Sequence, residues 1–227
     1  CPPTFKRVID ERFEQTYVGT GYGMTESNAI CSSCTGAAYE EKPGAAGTLS
    51  PLVDFKTCDE EGRDLPPGEK GEIWLRSVCN IQSYWHRPEA TASQFKDGWM
   101  ATGDIGFLDE DGFVHLADRA KDLIIRGGEN IYPAEIETLL SRHPAVLESA
   151  VIGLPDERMG APVAALVRLN DGETLTEDAL LSFLREQLAG FKVPSALHLV
   201  AQPLPRNAAG KLLKKQIKEE YATLAKV

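Results

Sequence analysis

The chain has 227 residues, 42% of them apolar, and a formal net charge of −10. That is enough for one large or two small domains with a packed core, and it excludes global disorder. The acidic balance argues against a nucleic-acid partner, and no apolar run approaches the ~20 residues that would give a transmembrane segment.

The N-terminal residues CPPTFKRVIDERFE lack the apolar centre of a signal peptide and begin without Met, so a fragment with a cytoplasmic setting is expected. The five cysteines, Cys1, Cys31, Cys34, Cys58 and Cys79, are irregularly spaced, which suits a reducing compartment. Cys31 and Cys34 form a lone C-x-x-C. A structural zinc site needs a second pair, and His86, His115, His143 and His198 are scattered. Ordinary buried or loop thiols are expected.

Residues 4–15 carry Phe5, Val8, Ile9 and Phe13 at helical spacing. The glycine-rich run GTGYGMTE follows, from Gly19 to Glu26. A dinucleotide fingerprint would need glycine where Met24 stands. What remains is a strand-end loop with backbone N–H groups, the Thr25 hydroxyl and the Glu26 carboxylate. Such a loop can approach phosphate and hold a hard cation. A tight turn with a capping Thr25 explains the same residues.

From Tyr39 to Asp118 the pattern is short strands and turns, which reads as a small β-barrel or curled sheet. Val53–Thr57 alternates, Asp59–Gly62 turns the chain, and Gly71–Arg76 is a second strand. Phe107-Leu108 and Phe113–Leu116 flank the turn Asp109–Gly112 as a hairpin. Neither acidic loop has EF-hand spacing, so both read as solvated turns. Between these strands lie Tyr84-Trp85, a helical stretch from Pro88 to Phe95, and Thr102-Gly103-Asp104. A carboxylate after a glycine at a strand end can accept from a ribose diol, or cap its own turn.

The stretch Asp118–Glu135, DRAKDLIIRGGENIYPAE, is a junction between two architectures. Leu123–Ile125 is a short strand, Gly127-Gly128 breaks it, and Pro133 opens a helix. Beyond it, helix, strand, strand, helix, strand and helix predict a compact α+β domain. Ile136, Leu139 and Leu140 share one helical face. Val146–Leu154 and Val163–Leu169 are strands. Thr176 caps a helix that Gly190 closes, and Leu197–Val200 is another strand. Gly210-Lys211 lacks the P-loop's remaining residues, since Leu212 and Pro205 occupy their places. In the last helix Leu213, Ile217, Tyr221 and Leu224 share a face; Lys214, Lys215 and Lys218 form a solvated one. Lys211, behind its glycine, is free to serve elsewhere.

Together, TGYGMTES, GEIWLRS with YW-x-x-PEAT, DGWMATGDIG, DRAKDLIIRGGENIYPAEIE, HPAV with AVIGLPD, GFKVP and PRNAAGKLLKK occur in one order. That ordered set resembles the adenylate-forming family, and the GGENIYPAEIE wording its acyl-CoA synthetase branch. The resemblance implies a mixed α/β and α+β chain: residues 1–41 end a large α/β core, 42–120 are the barrel-like subdomain, and 121–227 are a mobile lid hinged at Lys121. It implies activation of a carboxylic acid, fatty or aromatic, with ATP and magnesium, then transfer to coenzyme A. The segment Gly21, Tyr22, Gly23, Met24 and Thr25 would bind the nucleotide, with Tyr22 stacked on adenine and Thr25 at the α-phosphate. Glu26 would hold magnesium. Asp104 and Arg119 would bind ribose, and Lys211 would reach the reacting carboxylate. Gly127 and Gly128 would line the pantetheine tunnel. The family's Ser/Thr/Gly-rich phosphate loop has no counterpart, so the N-terminal half of a ligase is expected to be missing. A non-catalytic or split-enzyme piece, and a carrier-protein acceptor, are the other readings.

Overall fold

The computed structural model describes residues 9, 11–13, 16–154 and 162–224. The helix expected over 4–15 lies largely outside these residues. The chain divides into two compact units, Cys1–Ala120 and Lys121–Val227.

The first unit begins with β1 (Gly19–Met24), a 3-10 turn at Thr25–Ser27, β2 (Ala29–Thr35), α1 (Ala37–Glu41) and β3 (Thr48–Leu49). β1 and β2 pair antiparallel with a bulge at Tyr22/Gly23, and β3 pairs with β2. The glycine-rich run is therefore a strand and not the strand-end loop expected. β2 supplies the ladder bonds that compensate for glycine's weak strand propensity.

A second sheet holds β4 (Val53–Cys58), β5 (Gly71–Ser77), β6 (Phe95–Lys96), β7 (Trp99–Leu108) and β8 (Val114–Arg119), with α2 (Pro88–Gln94) before β6. Its order is β4-β5-β7-β6, and β8 also pairs with β7. The ten-residue β7 shares one edge between β6 at its start and β8 at its end. Bulges at Glu72/Trp74 and Ile105/Gly106 curl the sheet into a half-barrel. The Asp109–Gly112 turn is as expected. A tighter hairpin between β6 and β7 turns on Asp97 and Gly98, both at positive φ. The two sheets share a core of Tyr22, Cys31, Ala46, Ile73, Leu75, Met100 and Val114. Cys31, Cys34 and Cys58 are buried free thiols, and no metal-binding cluster of His, Cys, Asp or Glu occurs among the described residues.

The 3-10 turn Ala120–Asp122 straddles the boundary, and the second unit goes on with a two-residue hairpin of β9 (Ile124–Arg126) and β10 (Glu129–Ile131). Its turn is Gly127-Gly128, at φ 60° and 84°, a left-handed pair that side chains resist. Then come α3 (Pro133–Leu140), β11 (Val146–Gly153), β12 (Val163–Leu169), α4 (Glu177–Arg185), β13 (Ala196–Leu199) and α5 (Lys214–Leu224). β12 is central, antiparallel to β11 and parallel to β13. That position explains why Val163–Val167 is apolar at every residue: both faces are covered. Val151, Val163, Ala165, Val167 and Leu197 face Ile136 and Leu140 of α3 and Leu180 and Leu184 of α4. Ala150, Ile152, Ala164 and Leu166 face Ile217 and Tyr221 of α5. Thr176 caps α4 by accepting from the Ala179 N–H at 3.2 Å. The helix stops at Arg185 and not at Gly190, which begins a separate 3-10 turn.

Candidate functional site

The hairpin of β7 and β8 makes Asp104 and Arg119 cross-strand partners. Arg119 Nε lies 2.7 Å from Asp104 Oδ1. On the other carboxylate oxygen, the Tyr22 hydroxyl donates at 2.7 Å. Three of the expected nucleotide-binding residues, far apart in sequence, thus form one chain of contacts within the first unit. Asp104 is 7% exposed and sits within β7, not at a strand end. The glycine before it has φ 71°, and this mid-strand irregularity is what makes the sequence read as an end. The Gly103 N–H donates to Glu72 and the Asp104 N–H to Thr102, so the kink is bonded in place.

Tyr22 has its ring in the core and is 6% exposed. Burial first, together with the adjacent Asp104 carboxylate, pushes its phenol far above the ordinary range, so it stays a donor. Gly21 and Gly23 on either side are exposed, while Met24 packs against the core.

Thr25 is exposed at the start of its 3-10 turn, and Glu26 is half-buried. Glu26 Oε1 accepts from the Tyr84 hydroxyl at 2.8 Å. Burial, then the Glu26 hydrogen bond, pushes the Tyr84 phenol up to about 12. Tyr84 thereby joins the candidate site, which its place in the YW-x-x-PEAT motif does not announce. A lone tyrosine gives no sign of its partner until the fold spans the 58 intervening positions.

In the second unit Lys121 is exposed in its 3-10 turn, and Gly127 and Gly128 are exposed at the hairpin tip. Lys121 lines a cavity of about 500 Å³ floored by Ile124, Val151 and Ile152 and rimmed by Lys214, Lys215 and Lys218. Lys214 does not belong to a solvated face as expected: its Nζ lies 2.8 Å from Glu137 Oε1, and its side chain is 17% exposed. Glu137 on α3 also accepts the Val151 N–H, so the pair ties α5 to the sheet. Lys215, 92% exposed, and Lys218 do face solvent.

Lys211 is exposed on a loop closed by short bonds. Asn207 Oδ1 accepts from the Ala209 and Lys211 N–H groups at 3.0 and 2.9 Å. The Asn207 N–H donates to the Lys211 carbonyl, and the Leu213 N–H to that of Pro205. The ammonium is thereby carried on a fixed backbone.

A nucleotide can be tested against these groups. Each Asp104 oxygen holds one partner and keeps a second lone pair, which suits a diol. Glu26 is a single carboxylate, which fits a magnesium ion that draws most of its shell from phosphate oxygens and water.

Residues 1–85 match the family model for the AMP-binding enzyme, and residues 135–211 that for the AMP-binding enzyme C-terminal domain. A feruloyl-CoA synthase from Amycolatopsis sp is 44% identical over 201 residues, 88% of this chain and 41% of that protein. A fatty acid–acyl-carrier-protein ligase from Streptomyces coeruleorubidus is 42% identical over 219 residues, 94% of this chain and 41% of that one. The chain thus spans about two fifths of the length of the curated relatives it matches. Among solved structures, o-succinylbenzoate CoA synthetase from Bacillus subtilis with its acyl-adenylate intermediate superposes with a TM-score of 0.86 at 36% identity, covering 96% of this chain and 44% of that one. The same enzyme has also been solved with ATP and magnesium ion. The motif order, the Tyr22–Asp104–Arg119 chain and these matches, which fall on both units, agree: the chain belongs to the adenylate-forming, AMP-binding enzyme family.

Proposed function

We propose that the chain supplies the ribose contacts and the reactive lysine of a ligase that activates a carboxylic acid with ATP and transfers the acyl group to coenzyme A. The observation that carries this reading is the contact chain of Tyr22, Asp104 and Arg119, a buried carboxylate held rigid by a donor on each oxygen. Asp104 accepts the ribose hydroxyls with its remaining lone pairs, and Arg119 keeps the carboxylate oriented. The exposed backbone of Gly21 and Gly23 meets the nucleobase beside Tyr22. Thr25 donates to the α-phosphate. Magnesium, when bound beside Glu26, neutralises phosphate charge. Lys211 brings an ammonium to the point where substrate carboxylate and α-phosphate, both anions, must meet; a point charge on a long stem offsets their repulsion.

In the second step Lys121 is the pivot, and the Gly127-Gly128 tip, with no side chain to obstruct it, lines the path of the thiol arm. Fatty and aromatic acids both occur among the substrates named for relatives, so the acid is assigned only as a carboxylic acid. The carrier-protein ligase among them supports a second reading, in which the acceptor thiol is carried by a protein. Consumption of free coenzyme A by the completed enzyme separates the two.

In an enzyme completed with the N-terminal part of a relative, Lys211→Ala should lower ATP–pyrophosphate exchange about 100-fold or more, the scale of a lost oxyanion-type donor. Thioester formation from supplied acyl-adenylate should be spared; equal loss in both half-reactions contradicts the role given to Lys211. The 227-residue chain alone lacks the phosphate-gripping loop and should show no exchange with any acid; robust exchange would overturn that expectation.

A further inference from the structure

Glu148 stands on β11, in an otherwise largely apolar strand, next to a register shift between Val146 and Glu148. Bulges of this kind re-aim side chains. Its side chain is 13% exposed and faces three donors. Arg206 Nη2 lies 2.7 Å from Oε2 and Arg168 Nη1 3.5 Å from Oε1. The Leu204 N–H also donates to Oε1, at 3.2 Å. Burial acts to raise its pKa, but the Arg206 hydrogen bond and the other donors outweigh this and hold the carboxyl below its ordinary value.

Arg206 uses its other terminal nitrogen differently: Nη1 donates to the Gly210 carbonyl at 2.8 Å. One guanidinium therefore joins a sheet strand to the residue immediately before Lys211. Residues 206–211 are all exposed and contribute nothing to a core. Their order comes from polar bonds alone: the Asn207 bonds within the loop and the Arg206 bridge to the sheet. Below them Leu204 is 5% exposed, part of the cluster with Ile217 and Tyr221, so the loop has a firm base but no apolar packing at its tip.

We propose that Glu148 is a positioning residue for Lys211, clamping Arg206 and, through it, the Gly210 carbonyl. An exposed ion pair contributes little, but a covered carboxylate with several charge-assisted bonds fixes direction as well as distance. The flexible lysine stem can be productive only if its backbone origin is fixed, since displacement of a reacting group by about 1 Å can cost 100-fold in rate. Glu148 thus serves the step that needs the ammonium and is indifferent to the step that does not. This rests on the acid-activating role given to Lys211 above.

The test compares the full chain with its Glu148→Gln and Arg206→Lys variants by amide hydrogen exchange. Gln keeps the shape and loses the charge; Lys keeps the charge and loses the two-handed bridge. In both variants the Ala209 and Lys211 amides should exchange at least tenfold faster, while Leu166 and Ala150 in the sheet keep their protection. Unchanged exchange at Ala209 and Lys211 in a folded variant overturns the clamp, because Asn207 alone then suffices. Arg206, at 43% side-chain exposure, reads the same bridge if Glu148→Gln fails to fold. In the completed enzyme Glu148→Gln should lower the kcat of ATP–pyrophosphate exchange at least tenfold, leave the KM for ATP within twofold, and spare thioester formation from supplied acyl-adenylate. Equal loss in both half-reactions rejects the positioning role. If the parent enzyme has no exchange activity, the acid-activation reading falls, and the amide exchange of the chain still decides the clamp.

Discussion

Tyr22 and Asp104 are ordinary residue types made specific by their partners. The phenol donates to a carboxylate that is 7% exposed, so removing the donor leaves a covered oxygen short of a partner. Tyr22→Phe should destabilise the first unit by about 2 kcal/mol, within the usual range for a hydrogen bond to a charged group. A denaturant midpoint unchanged from the parent would show the bond to be replaceable. Tyr22, Asp104 and Arg119 can each be read from motifs, but their mutual contact cannot. Tyr84 and Glu148 show the same limit. Each stands in a recognisable segment, yet the partner that gives it a role, Glu26 or Arg206, is 58 positions away in either case.

At the scale of elements, the β7–β8 hairpin carries its own electrostatic fastening. Asp109 accepts from the Asp111 and Phe113 N–H groups, lies 2.8 Å from His115 Nε2, and receives Lys42 from beyond α1 at 3.2 Å. His115 in turn stacks on Phe107. Burial acts to raise the Asp109 pKa, but His115, the Phe113 N–H and Lys42 outweigh it and hold the carboxyl well below the usual carboxylate range. A depressed pKa stabilises the fold above the unfolded value of about 4 and loses that stabilisation as pH falls through the folded value. His115→Ala should therefore lower stability at pH 7, where the contribution is full, and shift the acid-unfolding midpoint to higher pH. An unchanged acid midpoint would mean that Lys42 and the backbone donors suffice. The turn was legible because Asp-Glu-Asp-Gly between apolar pairs has local chemistry. The Gly19–Met24 strand was not, because glycine-rich segments take their state from the neighbouring strand and not from their own preference.

For the whole molecule, the division at Ala120/Lys121 separates two sets of buried clusters: one core serves the two sheets of the first unit, and two cover opposite faces of β11–β13 in the second. A unit with its own closed core folds alone. Residues 121–227 expressed by themselves should melt cooperatively by circular dichroism; a gradual, non-cooperative loss of signal would refute this. By itself the sequence determined the family, the order of elements beyond Pro133 and the candidate site residues other than Tyr84 and Glu148. Those depend on local periodicity, turn chemistry and motif wording, which act over a few positions. Tertiary structure alone decided that the glycine-rich run is a strand, that Asp104 lies mid-strand between Tyr22 and Arg119, and that Lys214 pairs with Glu137. It also decided that Arg206 ties the Lys211 loop to Glu148. Each depends on groups brought together across long stretches of chain, and burial sets their strength only once that has happened.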